Sequence, residues 1–376
     1  MATAPTVMTA LRAFLPAHLS RRPPLNPQQR RAIWALQACR TPVLGGHVHA
    51  CAQCGSRHFA YHSCNHKACP QCGHAATAAW VAREQAKLIG APYFMVTFTL
   101  PEQLRCLFFG KAAKEAFDVF FAAASQALSS KLASPRWLGA QASGFTLVLH
   151  TWNQQMLFHP HLHAIVPGGG LDAKGEWVCV KNANFLLPMP VLSKAFRHAF
   201  QAQMRLRGWQ CDPAVWHQQW GVHLQPFGNG QNAVKYLGTY VARSVIADSR
   251  LVAITPTEVR FRHKDRAHGG AMRTLTLPGV EFVARYLRHV LPQGLRSIRY
   301  YGFCHPVARK TRLKVMLLSG RPTQLGATTE IQSLPQSAWP CPCCGQPRQR
   351  LHRIQPLWCR SARAPPQEPA TPILIA

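Results

Sequence analysis

Carboxylates are scarce in this chain, 13 Asp and Glu among 376 residues against 43 Lys and Arg. Upstream of the histidine-rich run near residue 160 the only acids are Glu84, Glu102, Glu115 and Asp118, which leaves little from which to assemble a nuclease centre of three metal-binding carboxylates. Long apolar runs are missing too. No stretch reaches the ~18 apolar residues that a membrane span needs, and the N-terminal segment MATAPTVMTALRAFLPAHLSRR has no small-residue cleavage site after a long apolar core. The expected setting is therefore the reducing cytoplasm, with no membrane partner. There the 14 cysteines read poorly as disulfides and better as metal ligands where they cluster. Internal repeats are also lacking.

What is abundant is positive charge, a formal +30. A net charge beyond about 8 exceeds what solubility asks for, so the excess points to a polyanionic partner whose phosphates release counterions on binding. The hydrophobic fraction, 47%, is enough for a real core.

Asn26 as N-cap and Pro27 at the first helical position open a helix over residues 26–38. Another, AATAAWVAREQAKLIG, is stopped by Gly90 and Pro92. The proline-bounded run at 93–100 is a buried strand, and KEAFDVFFAAASQALSSKL is a core helix. GFTLVLHTW and LFHPHLHAIVPGGG form an antiparallel hairpin centred near Gln155 and Met156. Helices follow at about 190–207 and 231–245, then a second hairpin turning at Gly269 and Gly270, then the amphipathic helix GVEFVARYLRHVLP. Proline and glycine dominate from about residue 320, a linker into CPCCG, and the tail SARAPPQEPATPILIA has the composition of disorder.

Three constellations carry chemistry. In HPHLH, residues 159–163, His161 and His163 alternate on one face of a strand, the arrangement by which two imidazoles reach one metal ion. A third ligand is required. His150, across the hairpin from His161, is the first candidate, ahead of Gln155 and His159. In KYLGTYVAR, Tyr236 and Tyr240 stand one helical turn apart on a common face. Such pairs are usually core residues, but a phenol beside a metal that polarises a phosphate is an activated nucleophile. Lys235 and Arg243 add phosphate-holding charge. Finally, Cys51, Cys54, Cys69 and Cys72 make two CxxC pairs with Cys64 between them, a structural Zn2+ signature, with Cys39, His47, His66 and His74 within reach. Cys341 and Cys344, completed by Cys359, form a candidate second zinc set, with Cys343 and His352 beside them.

The order VTFTLP, then HTW…HPHLH with PGGG, then KYLGTY, then VRFRHKD and EFVARYLRHVLPQGLRSIRYYG resembles the rolling-circle transposases of the insertion sequence ninety-one family, HUH nucleases with two tyrosines. The resemblance covers residues 25–350 or so. It implies that His161 and His163 bind a divalent ion, Mg2+ or Mn2+, and that Tyr236 and Tyr240 are nucleophiles forming a 5′-phosphotyrosine. It further implies that VTFTLP is the core strand beside the histidine strand, and that the cysteine module is a zinc-binding DNA-recognition domain. One departure stands out: Ala68 occupies the place where family members show a histidine before the second CxxC, with His62 and His66 nearby.

The implied fold is α+β, an antiparallel-sheet HUH nuclease core with packed helices plus an N-terminal zinc-binding module. Residues 1–90 hold the first helix and zinc module, 91–320 the nuclease core, and 321–376 the linker, C-terminal cysteines and tail. The implied partners are single-stranded DNA ends of a mobile element, target DNA and host replication machinery, at the bacterial nucleoid. A plasmid replication initiator or relaxase would use the same chemistry, and a zinc-dependent DNA-binding protein without catalysis would use only the module. The retention of both histidines and both tyrosines argues against the latter.

Overall fold

The computed structural model describes residues 4–72, 74–241, 245–265, 269–320 and 340–357. Helices α1 (Val7–Ser20) and α2 (Pro27–Ala38) precede strands β1 (Gly46–Cys51) and β2 (Arg57–Tyr61), helix α3 (His74–Ala86) and strand β3 (Tyr93–Thr99). Helix α4 (Ala113–Ala133) leads into β4 (Gly144–Trp152) and β5 (Phe158–Pro167), the short β6 (Gly169–Leu171) and β7 (Trp177–Cys179), α5 (Met189–Leu206), β8 (Gly221–Pro226) and α6 (Gln231–Val241). The remaining described elements are β9 (Leu251–Ile254), β10 (Glu258–Asp265), β11 (Ala271–Pro278), α7 (Gly279–Arg288), β12 (Ile298–Gly302), α8 (Arg309–Leu318) and β13 (Arg348–Ile354). The fold is α+β, as the sequence implies.

The central sheet has the order β12-β4-β5-β3-β8 with every neighbour antiparallel. Side chains alternate across it, so its two faces are buried by different helices. Phe94, Val96 and Phe98 of β3, Leu147 and Leu149 of β4, and Leu162, Ala164 and Val166 of β5 join the core formed with α4 and α5. The opposite face carries Tyr93, Met95, Val148 and Ile165, which pack with Trp80 of α3 and with Ala233, Val234 and Leu237 of α6. Alternation therefore commits His150, His161, His163 and Thr97 to the face that α3 and α6 cover only in part.

A third core joins α1, α2 and α7 to β9, β10 and β11, and includes Cys39, Cys69 and Met156. Met156 lies in the β4–β5 turn with φ at 60°, so the turn of the histidine hairpin is wedged against the cysteine module. The Asn26 cap of α2 is a full capping box, with Asn26 Oδ1 accepting from the Gln29 N–H and the Gln29 side chain accepting from the Asn26 N–H. The expected second hairpin forms, with Asp265 paired to Ala271 so that Gly269 and Gly270 end the connection between its strands.

Two elements correct the sequence reading. Helix α1, which the sequence reading did not assign, starts at a Thr6 cap and buries Val7, Leu11, Phe14 and Leu15 at i, i+4, i+7 and i+8 although Pro16 lies within it. The C-terminal cysteine segment does not stand apart beyond a linker, because β13 pairs with β1 and gives the order β13-β1-β2. Among the described residues no helix is long and apolar enough to cross a membrane.

Candidate metal and tyrosine site

The β4–β5 register places His150 directly opposite His161, and His163 follows on the same face. The ring centroids of His150 lie 5.2 Å from His161 and 4.7 Å from His163, and those of His161 and His163 are 4.9 Å apart. One nitrogen from each ring lies within 4.8 Å of the others, a spacing that a single ion with metal–nitrogen bonds of about 2.1 Å bridges. The His161 Nδ1–H donates to the His159 carbonyl at 2.7 Å, which leaves Nε2 as the atom with a lone pair to offer. His163 Nδ1 lies 3.0 Å from Thr97 Oγ1, the outer-shell contact that fixes a ligating ring's orientation. Burial, reinforced by His163 and His161, holds the His150 imidazole well below the ordinary histidine value, so it stays neutral, the form a metal binds. Trp152 stacks on it at 5.5 Å and 21°.

Of the alternative third ligands, His159 is held at Nδ1 by Arg105 at 2.9 Å and lies outside the three-imidazole cluster. Gln155 sits in the turn, where its backbone carbonyl accepts from Arg285.

Helix α6 brings the first tyrosine to this cluster. Its buried Ala233, Val234 and Leu237 seat it on the sheet, leaving Lys235 and Tyr236 exposed. The Tyr236 ring stands edge-on to His163 with centroids 6.4 Å apart. Tyr240 lies one turn further along α6; its side chain, like Arg243 and Cys359, falls outside the described residues. Two other phenols, those of Tyr286 and Tyr300, are committed elsewhere. The Tyr286 hydroxyl donates to the Ala68 carbonyl at 2.7 Å. That of Tyr300 donates to Glu84 and accepts from Trp80, and burial beside Glu84 pushes it up to about 12.

Gly238 sets the height of this helix. A Cβ there would overlap the Val81 Cγ2 methyl of α3, so α3 and α6 approach to backbone distance only because residue 238 has no side chain. Gly238→Ala is expected to cost about 1–3 kcal/mol in denaturant unfolding, because relief of the overlap moves α6, and Tyr236 with it, away from His163.

The cysteines sort differently from the spacing-based expectation. Cys64, Cys69 and Cys72 gather with Cys39, whereas Cys51 and Cys54 gather with Cys341 and Cys344. The reason is the β1–β2 hairpin. At about 3.3 Å per residue its arms hold Cys51 and Cys54 at the tip, far from Cys64 at the open end, where the α2 C-cap delivers Cys39. In the first group Cys39 and Cys72, Cys64 and Cys72, and Cys69 and Cys39 have sulfur separations of 3.5, 3.6 and 3.6 Å. A tetrahedral ion with Zn–S bonds of about 2.3 Å sets its sulfurs about 3.8 Å apart, and these four cysteines are free of disulfides, so the group fits zinc. His66 and His62 stay outside it; His66 Nδ1 accepts from the Ala68 N–H, and His62 Nε2 meets His47 Nε2 at 3.3 Å. The His74 side chain lies outside the described residues. Sequence reasoning missed Thr97 and Trp152, whose roles follow only from strand register and carry no local motif.

A family model described as a putative transposase matches residues 144–312, and one described as a transposase zinc-binding domain matches residues 10–100. A putative transposase, y4qJ, of Sinorhizobium fredii is 38% identical over 331 residues, 82% of each chain. The transposase for insertion sequence element IS801 of Pseudomonas savastanoi pv. phaseolicola is 29% identical over 308 residues, 76% of this chain and 73% of that one. Among solved structures, the conjugative relaxase TrwC in complex with oriT DNA overlaps 31% of this chain and 45% of its own at 15% identity, with a TM-score of 0.25, too slight a likeness to bear on chemistry.

Proposed function

We propose that this chain, which belongs to the transposases of the insertion sequence ninety-one family, cuts and rejoins single-stranded ends of a mobile element through a 5′-phosphotyrosine, driving rolling-circle transposition. The observation that carries the reading is the edge-on approach of exposed Tyr236 to His163 within a three-imidazole cluster. A Mg2+ or Mn2+ ion held by His150, His161 and His163 would supply Lewis-acid polarisation of the scissile phosphate.

The protein's own share of the reaction is nucleophile and placement. The phenol of Tyr236 or Tyr240 gives up its proton as its oxygen attacks phosphorus, the bond from phosphorus to the 3′ oxygen breaks, and that oxygen takes up a proton to leave as a 3′-OH. The phosphodiester energy is kept in the tyrosine ester, so attack by a 3′-OH reverses the step without ATP. The free 3′-OH suits extension by host replication machinery. Lys235 and Arg243 flank the tyrosines in sequence and hold the strand's phosphates. A zinc held by Cys39, Cys64, Cys69 and Cys72 would stiffen the module where Cys39 and Cys69 pack in one core with Met156 of the histidine hairpin's turn.

Labelled single strands from the element's ends, incubated with the protein and manganese or magnesium, are expected to yield a protein–DNA adduct that survives boiling in detergent and disappears with chelator. Cleavage products carrying a free 5′ phosphate and no adduct would replace the tyrosine mechanism with hydrolysis.

A further inference from the structure

The second cysteine group has a geometry of its own. Cys51 and Cys344 have sulfurs 3.4 Å apart, and Cys54 and Cys341 3.7 Å, close to the tetrahedral-zinc spacing of about 3.8 Å. The two pairs come from matching turns. In CAQCG the Gly55 N–H donates to the Cys51 carbonyl at 2.9 Å, and the Cys51 N–H donates to the Ser56 carbonyl at 3.1 Å. In CPCCG the Gly345 N–H donates to the Cys341 carbonyl at 2.8 Å, and the Cys341 N–H donates to the Gln346 carbonyl at 2.8 Å. Both glycines take a left-handed backbone, φ 68° and 74°, which places two sulfurs of each turn on one side. Two such knuckles facing each other above the antiparallel sheet β13-β1-β2 make the architecture of a zinc ribbon. Its halves lie 287 residues apart in the chain, measured from Cys54 to Cys341.

The strand that the second knuckle delivers is strongly basic. Register sets Arg353 opposite His47, Arg350 opposite His49, and Arg348 opposite Cys51, while His58 of β2 lies across from His49. Cross-strand partners share a face, so three arginines and three histidines line one side of the sheet. None of its three strands holds a carboxylate.

We propose that Cys51, Cys54, Cys341 and Cys344 hold a second structural zinc, closing a ribbon built from both ends of the chain, and that its Arg348–Arg350–Arg353 face grips DNA phosphates. The metal half stands on geometry alone. The DNA half rests on the transposase reading.

Cobalt titration of the metal-stripped full-length protein separates the two halves, because the thiolate-to-cobalt charge-transfer band counts cysteine centres and ignores the histidine site. Saturation is expected at two equivalents in the wild type, and at one in Cys341→Ser/Cys344→Ser and in Cys39→Ser/Cys72→Ser. A wild-type count of one, or a count of two persisting in Cys341→Ser/Cys344→Ser, overturns the second site. Arg348→Ala/Arg350→Ala/Arg353→Ala is expected to keep both cobalt centres and to weaken single-strand binding tenfold or more at low salt. The slope of log K against log salt is expected to flatten by about 0.7 for each phosphate that these arginines neutralise in the wild type. Unchanged affinity and slope with both centres filled would overturn the DNA-gripping face and leave the zinc standing.

Discussion

His161→Ala and His163→Ala are each expected to lower covalent adduct formation about 10³-fold or more while leaving affinity for single-stranded DNA within about twofold of wild type. Each change removes one of three nitrogens that lie within 4.8 Å of one another, and two imidazoles alone neither hold nor orient a hard divalent ion. Neither side chain belongs to the arginine and lysine surface that carries the +30 charge, so the phosphate grip is untouched. Thr97→Val supplies the graded case. It keeps the three ligands and removes only the oxygen 3.0 Å from His163 Nδ1, so metal affinity is expected to fall about 10–100-fold and cleavage to return at high manganese. Manganese titration of adduct yield, beside a binding isotherm, checks all three variants. Cleavage that persists in chelator with either alanine variant would take the histidines out of the mechanism.

The site is legible in sequence where its geometry is local. A hairpin needs only two alternating runs and a countable turn, so the sequence alone sets His150 opposite His161, and the register agrees. The Asn26 cap of α2 and the glycine pair at residues 269 and 270 are local signals of the same kind. What escapes is non-local. β8 and β12 are short edge strands whose polar residues mask their period, and each takes its place only by pairing with a central neighbour, β3 and β4 respectively. β13 has no apolar alternation at all; RQRLHRI is exposed or half-exposed along its length and is a strand because β1 offers it an edge. The cysteine sorting is hidden for the same reason. Spacing along the chain favours Cys51 and Cys54 joining Cys69 and Cys72, and only the length of a rigid hairpin forbids it. Gly238 carries no signal, because a glycine inside a helical pattern announces a close approach without saying to what.

The two tyrosines give the sharpest test, because Phe keeps the ring and deletes only the oxygen. Tyr236 is exposed on α6 with its ring against His163 and Phe227, so Tyr236→Phe preserves those contacts and is expected to spare stability and DNA binding; Tyr240→Phe, one turn on, is the matching change. A single phenol can cut one end and hold it, but strand transfer needs a second cut while the first end stays attached, and a phenol one helical turn away provides it. Each single variant is therefore expected to retain some adduct with a single-stranded end. Transposition is expected to fall about 10³-fold or more in both, and the double variant to form no adduct. Denaturing gels of labelled ends measure the adduct, and excision and insertion assays in cells measure transposition. Tyr286 and Tyr300 offer no easy substitute, since the Tyr286 hydroxyl is spent on the Ala68 carbonyl and that of Tyr300 on Glu84. An adduct persisting in the double Phe variant would place the nucleophile off this helix, and full transposition in either single variant would mean that one tyrosine serves both cuts.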